Sequence, residues 1–146
     1  MSSNKQSNRE KSPSCTVLVV EDEPALSDIY ATALRNNGFG VEQAYDGVEG
    51  LDKALHLKPK AILLDLLMPI KDGFDTLHDL KSHQDTSDIP VIILSNLGQD
   101  FERRRGRDLG AACFITKTEL QPTRLGELIE SVLAGRGCDL PPLPKK

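Results

Sequence analysis

The run Ala61-Ile62-Leu63-Leu64-Asp65-Leu66-Leu67-Met68-Pro69 decides how this chain must fold. Four apolar residues lead into one acid, and more apolar residues and a proline follow it. A short, wholly apolar run predicts a strand buried on both faces, and hence a parallel sheet covered by helices. An aspartate ending such a strand lies at the carboxyl edge of the sheet, where open α/β sheets bind ligands. A carboxylate held there costs free energy unless a cation or hydrogen-bond donors meet it. Taken alone, Asp65 reads equally well as a helix N-cap or turn aspartate. The flanking sequence decides between the two.

Upstream, Thr16 to Val20 is a first buried strand that ends in Glu21-Asp22-Glu23, and Pro24 suits the first turn of a helix. Leu26, Ile29, Tyr30, Ala33 and Leu34 follow the stripe of a helix laid on a sheet, which Gly38 stops. Residues 40–44 form a weak second strand. Asp46-Gly47 resembles a hairpin turn, but Val48, Leu51, Ala54 and Leu55 keep helical spacing, so a helix follows. Downstream of Asp65, a loop with Pro69 and Asp72-Gly73 precedes a helix marked by Phe74, Leu77 and Leu80. Pro90 to Leu94 is a fourth buried strand, ending in Ser95-Asn96. Residues 99–109 predict a poorly amphipathic helix with Phe101 and Leu109 as its apolar anchors. Ala112 to Ile115 is a fifth strand, ending in Thr116-Lys117. Leu125, Leu128, Ile129, Val132 and Leu133 give the clearest helical stripe. Strands alternating with helices over short connections predict a parallel sheet with right-handed crossovers.

The chain has 146 residues, enough for one domain with a sizeable core. Residues 1–14 are polar and predict a disordered lead-in, 15–134 the folded domain, and 135–146 a flexible Gly/Pro-rich tail. Acids outnumber bases 22 to 18, which argues against general affinity for nucleic acid. No apolar run approaches the roughly 18 residues of a membrane span, so no membrane contact is expected. Cys15, Cys113 and Cys138 lack metal-ligand spacing and read as reduced thiols in a cytoplasmic protein. His56, His78 and His83 read as surface residues.

Glu21, Asp22, Asp65, Ser95 and Lys117 all stand at strand ends and converge on one sheet edge. Clustered carboxylates raise one another's pKa unless a cation lies between them. A hard divalent ion with oxygen ligands answers that, and Mg²⁺ fits best when a phosphoryl group completes its shell. Lys117 supplies a point charge and Ser95 a hydroxyl for the same group. Asp65 is left as a nucleophile able to form an aspartyl phosphate.

At this point the chain resembles the receiver domain of two-component response regulators. The resemblance rests on Val-Val-Glu-Asp-Glu-Pro at 19–24, Leu-Leu-Asp-Leu-Leu-Met-Pro at 63–69 with Asp72-Gly73, Ile-Leu-Ser-Asn at 93–96, and Gly-Ala-Ala-Cys-Phe-Ile-Thr-Lys at 110–117. It implies a flavodoxin-like (βα)5 fold with sheet order 2-1-3-4-5. It also implies Asp65 as phosphoacceptor, Asp22 as a direct Mg²⁺ ligand, Glu21 acting through water, and the backbone carbonyl of Leu67 as a further ligand. Ser95 would move toward the phosphoryl group, Lys117 would pair with it, and Phe114 would hold the aromatic switch position. Leu67 and Leu97, two past the phosphoacceptor and two past the hydroxyl residue, would line the approach of the hydrolytic water. Thr118 departs from the proline usual in the family, which puts the shape of the loop from Lys117 to Pro122 in question.

Rival chemistries fit less well. An aspartyl-phosphate phosphatase usually carries a second Asp where Leu67 stands. A flavin-binding protein needs a phosphate loop after the first strand, where Glu21-Asp22-Glu23 would repel one. Arg103, Arg104, Arg105 and Arg107 read as a solvated or partner face rather than a DNA contact. The alternative is a degenerate receiver acting as a phosphorylation-independent interaction module, although no key residue is missing. The expected function is that of a stand-alone receiver, not an enzyme, phosphorylated by a histidine kinase or phosphotransfer protein. Its output would pass to a downstream protein partner through the fourth helix, fifth strand and fifth helix. The resemblance also allows a phosphorylation-dependent homodimer.

Overall fold

The computed structural model describes residues 16–68, 71–96 and 99–138. Five strands and five helices alternate: β1 (Val17–Val20), α1 (Pro24–Asn36), β2 (Val41–Ala44), α2 (Gly47–Leu57), β3 (Ala61–Asp65), α3 (Gly73–Ser82), β4 (Val91–Ser95), α4 (Asp100–Asp108), β5 (Cys113–Thr116) and α5 (Leu125–Leu133). A 3-10 turn at Pro122–Arg124 leads into α5. The sheet is parallel throughout, in the order β2-β1-β3-β4-β5, as the family resemblance implies.

Apolar runs take the middle of the sheet. Every residue of β1, β3 and β4 is buried, whereas β2 and β5 at the edges are only partly so. Because successive side chains point to opposite faces, each central strand feeds two cores. Val17, Val19, Leu63, Ile92 and Leu94 meet Leu34 of α1 and Leu125, Leu128 and Ile129 of α5. Leu18, Val20, Ile62, Leu64 and Ile93 meet Ala54 of α2 and Phe74, Leu77 and Leu80 of α3.

Three helices turn a different face inward from the one their bulkiest residues suggest. α1 buries Ser27, Tyr30, Ala31 and Leu34, and Ile29 is 50% exposed. α2 buries Gly47, Gly50 and Ala54 and leaves Val48 exposed. α4 buries Glu102 and Gly106, while Phe101, expected as an anchor, is 59% exposed. Small residues let the backbone approach the sheet closely. A Cβ added at Gly50 would stand 2.9 Å from Val20, and one at Gly106 would stand 3.1 Å from both Ile93 and Phe114. Bulky neighbours are then left on the flank.

Asp46 and Asp72 cap α2 and α3, each accepting a hydrogen bond from the backbone N–H three residues on. The helix reading after Asp46-Gly47 is thus met, and Gly38, at φ +93°, follows the C-cap Asn37 of α1. The three histidines are exposed. In the stretch expected to be a flexible tail, residues 135–138 are held: Ser131 Oγ donates to Gly137 O, and Cys138 packs against the core on the α1 and α5 face. The lead-in 1–14, Cys15 and the Pro-rich stretch 141–144 lie outside the described residues. Among the described residues, no helix is long and apolar enough to cross a membrane.

Candidate functional site

The carboxyl ends of β1, β3, β4 and β5 bring together the residues that the sequence places at one sheet edge. Glu21 continues β1, its N–H bonded to Ala44 O at 3.0 Å, and its side chain is buried. Asp65 closes β3 and is 4% exposed. Carboxylate oxygens of Glu21, Asp22 and Asp65 lie within 4.8 Å of one another. Lys117, just past β5, crosses the sheet edge to reach them. Its Nζ donates to Glu21 Oε1 at 3.0 Å and stands 3.3 Å from Asp65 Oδ1. The lysine N–H donates to the carbonyl of Ser95 at 2.8 Å, locking β5 to the end of β4.

Charge in this cluster is poorly balanced. With all three carboxylates ionised, the one ammonium leaves two negative charges, the charge that one divalent cation neutralises. Burial, and then the neighbouring Asp65 charge, push the Glu21 carboxyl up to about 7, against the pull of Lys117. Burial raises the Asp65 pKa too, with Lys117 opposing it. Burial works against the Lys117 ammonium, but the carboxylates of Asp65 and Glu21 outweigh it and raise its pKa. Tyr30, buried beside the cluster, is likewise shifted upward, first by desolvation. An all-oxygen donor set with surplus negative charge fits a hard cation such as Mg²⁺. The donors on hand are Asp22, Asp65 and Glu21.

These groups line a cleft together with Leu67, Asn96, Glu23 and Pro24. Leu67 is 55% exposed at its mouth. The loop after Asp65 folds back tightly, with Gly73 N–H bonded to Leu66 O at 2.8 Å. A Cβ on Gly73 would stand 2.4 Å from Asp65 O, so only glycine fits there. Ser95 is fully buried at the end of β4. Phe114 is half-buried on β5, with Gly106 of α4 against its ring. Leu97 lies outside the described residues. After Lys117 the chain makes a turn in which Glu119 N–H bonds to Thr116 O at 3.0 Å, and every described peptide bond is trans.

Sequence reasoning missed four residues here. Asn96 lines the cleft, and the charges of Lys117, Glu21 and Asp65 act on Tyr30. Arg103 and Glu119 link α4 to the turn after Lys117 by an ion pair of 3.1 Å. Asn96 stands in a quoted motif and was within reach of a strand-end argument. The other three depend on contacts between elements, for which spacing gives no signal.

Comparison with known proteins agrees with this geometry. Residues 17–130 match the family described as response regulator receiver domain. The DNA-binding dual master transcriptional regulator RpaA of Synechocystis sp. is 41% identical over 101 residues, covering 69% of this chain and 42% of that protein. Response regulator MprA of Mycobacterium bovis is 36% identical over 121 residues, covering 83% and 50%. The chain thus spans about half the length of the curated relatives it matches. Among solved structures, the Vibrio cholerae chemotaxis protein CheY4 superposes with a TM-score of 0.75 at 25% identity, over 81% of this chain and 98% of that one. The signal receiver domain of a DNA binding response regulator from Colwellia psychrerythraea gives 0.74 at 29% identity, over 82% and 98%. With its sheet order, its strand-end carboxylates and its sequence all in agreement, the chain belongs to the response regulator receiver family of two-component signalling.

Proposed function

We propose that Asp65 accepts a phosphoryl group from a histidine kinase or phosphotransfer protein in the cytoplasm. The observation that carries this reading is the Lys117 ammonium, set 3.0 Å from Glu21 and 3.3 Å from Asp65 at one end of the sheet. The Asp65 carboxylate attacks the phosphorus of a phosphohistidine. The new O–P bond replaces the P–N bond, and the imidazole leaves with the electron pair. Asp22, Asp65 and the Leu67 carbonyl, with Glu21 through water, would hold Mg²⁺, which supplies positive charge beside the phosphoryl oxygens. Lys117 then turns from its carboxylates to a phosphoryl oxygen, a charge-assisted contact.

Ser95 gains an acceptor in that group, which biases the β4–α4 loop and the packing of Phe114 behind it. The readable result is a changed surface over α4, β5 and α5, which a downstream protein partner or a second copy of the chain recognises. The test is incubation with Mg²⁺ and a small phosphodonor, followed by intact mass measurement. The expected result is one added phosphoryl group in the wild type and none in Asp65→Asn. An equal gain in the variant sinks the assignment.

A further inference from the structure

The turn that follows β5 carries Lys117, and Thr118 within it has a free φ where a proline ring would fix one. Glu119 braces that turn in two ways. Its backbone N–H donates to the carbonyl of Thr116 at 3.0 Å, and its Oε1 accepts from the Thr116 N–H at 3.1 Å. Residues 116 and 119 thus exchange two hydrogen bonds, which close a ring around Lys117 and Thr118. Thr116 and Glu119 have the Thr-x-x-Glu spacing of a capping box, here spent on a single turn.

Arg103 Nη2 donates to the same Oε1 at 3.1 Å and so aims the carboxylate at the strand end. Hydrogen bonds from Thr116, with Arg103 adding to them, hold the Glu119 carboxyl below its ordinary value and keep it ionised as an acceptor. The ion pair is exposed on the Glu119 side and worth little by itself. The bonds to the Thr116 backbone are what fix the turn.

What the turn holds is the ammonium of the site. Lys117 N–H donates to Ser95 O at 2.8 Å, while its Nζ stands 3.0 Å from Glu21 Oε1 and 3.3 Å from Asp65 Oδ1. A lysine reaches its partners on a flexible stem, so the backbone that carries it decides where the charge can stand.

We propose that Glu119 is a positioning residue for Lys117, closing the turn over residues 116–119 so that the ammonium stands beside Asp65 for phosphoryl transfer. The role is built on Asp65 as the phosphoacceptor proposed above. Glu119 touches no reacting atom and acts through the lysine. Loss of its side-chain acceptor leaves the Thr116 N–H unanswered, loosens the turn and lets the ammonium drift from Asp65. Because Arg103 holds the same oxygen, a partner that draws α4 away would slacken Lys117 as well.

The experiment compares wild type, Glu119→Ala and Glu119→Gln, the last of which keeps an oxygen that can accept from Thr116. Each is given acetyl phosphate at saturating Mg²⁺, and the rate of phosphoryl gain is read by intact mass. Without phosphodonor, exchange of the Lys117 amide is read by NMR, and melting temperature monitors the fold. Glu119→Ala should gain its phosphoryl group several-fold more slowly and exchange the Lys117 amide several-fold faster, while melting close to wild type. Glu119→Gln should restore both. Wild-type behaviour in Glu119→Ala, or a Glu119→Gln as impaired as the alanine variant, overturns the proposal and leaves the phosphoacceptor reading standing. A wild type that gains no phosphoryl group overturns both.

Discussion

Arg103 joins α4 to the open edge of β5, its Nη1 donating to the carbonyl oxygen of Phe114 at 3.1 Å. Its guanidinium carbon stands 5.4 Å from the centre of the same ring. Nη2 donates to Glu119 Oε1 at 3.1 Å, and that oxygen also accepts from the Thr116 N–H. With the Glu119 carboxylate it holds, the fork thus covers two edge groups of β5, the Phe114 carbonyl and the Thr116 N–H. It also fastens a helix whose inward residues are only Glu102 and Gly106, and one carboxylate oxygen of Glu102 has no partner among the described residues.

Arg103→Ala should therefore speed amide exchange across Asp100–Asp108 and cost about 1 kcal/mol in denaturant unfolding. Arg103→Lys should not restore protection, because a compact ammonium lacks the planar, spread donors with which the guanidinium meets both acceptors. Phosphorylation of the wild type should alter exchange in the same helix, and Ser95→Ala should abolish that change. Identical exchange maps before and after phosphorylation would remove Ser95 from the switch.

Glu21 gives a pH dependence of definite sign. Its carboxyl ionises near 4.5 in an unfolded chain, while burial and the nearby Asp65 hold its proton in the fold up to about 7. Between those values the unfolded state binds fewer protons, so stability falls as pH rises. The contribution is fully present below 4.5 and lost above 7. Without Mg²⁺, the melting temperature should decline over that window, and Glu21→Gln should flatten the decline. Saturating Mg²⁺ should offset it, since the ion binds the ionised cluster and stabilises the fold by mass action. Asp22→Ala should lose most of that gain. Differential scanning calorimetry with chelator and with Mg²⁺ separates these cases.

Lifetime of the phosphorylated state is a further expectation. Hydrolysis requires a water in line with the phosphorus, and Leu67 at the mouth of the cleft offers that water no hydrogen bond. A change of about 1.4 kcal/mol in the barrier is tenfold in rate. Leu67→Asn, and more so Leu67→Asn with Leu97→Glu, should shed the phosphoryl group several-fold faster at saturating Mg²⁺. Equal decay rates in wild type and variants would show that the leucines do not gate the site.

Gly73→Ala tests the loop that follows Asp65. The added methyl would meet Asp65 O at 2.4 Å and Leu66 Cα at 2.6 Å, both backbone atoms that cannot step aside. Overpacking of this kind costs about 1–3 kcal/mol. The variant should also phosphorylate more slowly, because relief of the clash displaces Asp65. Gly106→Ala, facing side-chain atoms at 3.1 Å, should be the milder change.

The central strands were legible because wholly apolar runs have no other place in a covered parallel sheet, whereas the strand order came from the family resemblance. Glu21, Asp65, Ser95 and Lys117 were legible for a related reason: each is a polar residue at the end of such a run. Helix faces were not. Ile29, Val48 and Phe101 satisfy helical spacing, yet Ser27, Gly50 and Gly106 take the inward positions, since the gap between helix and sheet selects for size. The Arg103–Glu119 link was hidden because both residues read as solvated charge until two elements are docked.

The bond between Lys117 and Glu21 closes a separation of 96 residues. No local segment and no half of the sheet contains both groups, so a chain with β5 undocked lacks the ammonium that offsets the buried acids. Such non-local closure is gained only once loop entropy has been overcome. The proposed chemistry should therefore require β5 to be docked. A chain caught part-way through folding, or opened by local melting at the β5 edge, presents carboxylates without their lysine and should stay silent toward its phosphodonor.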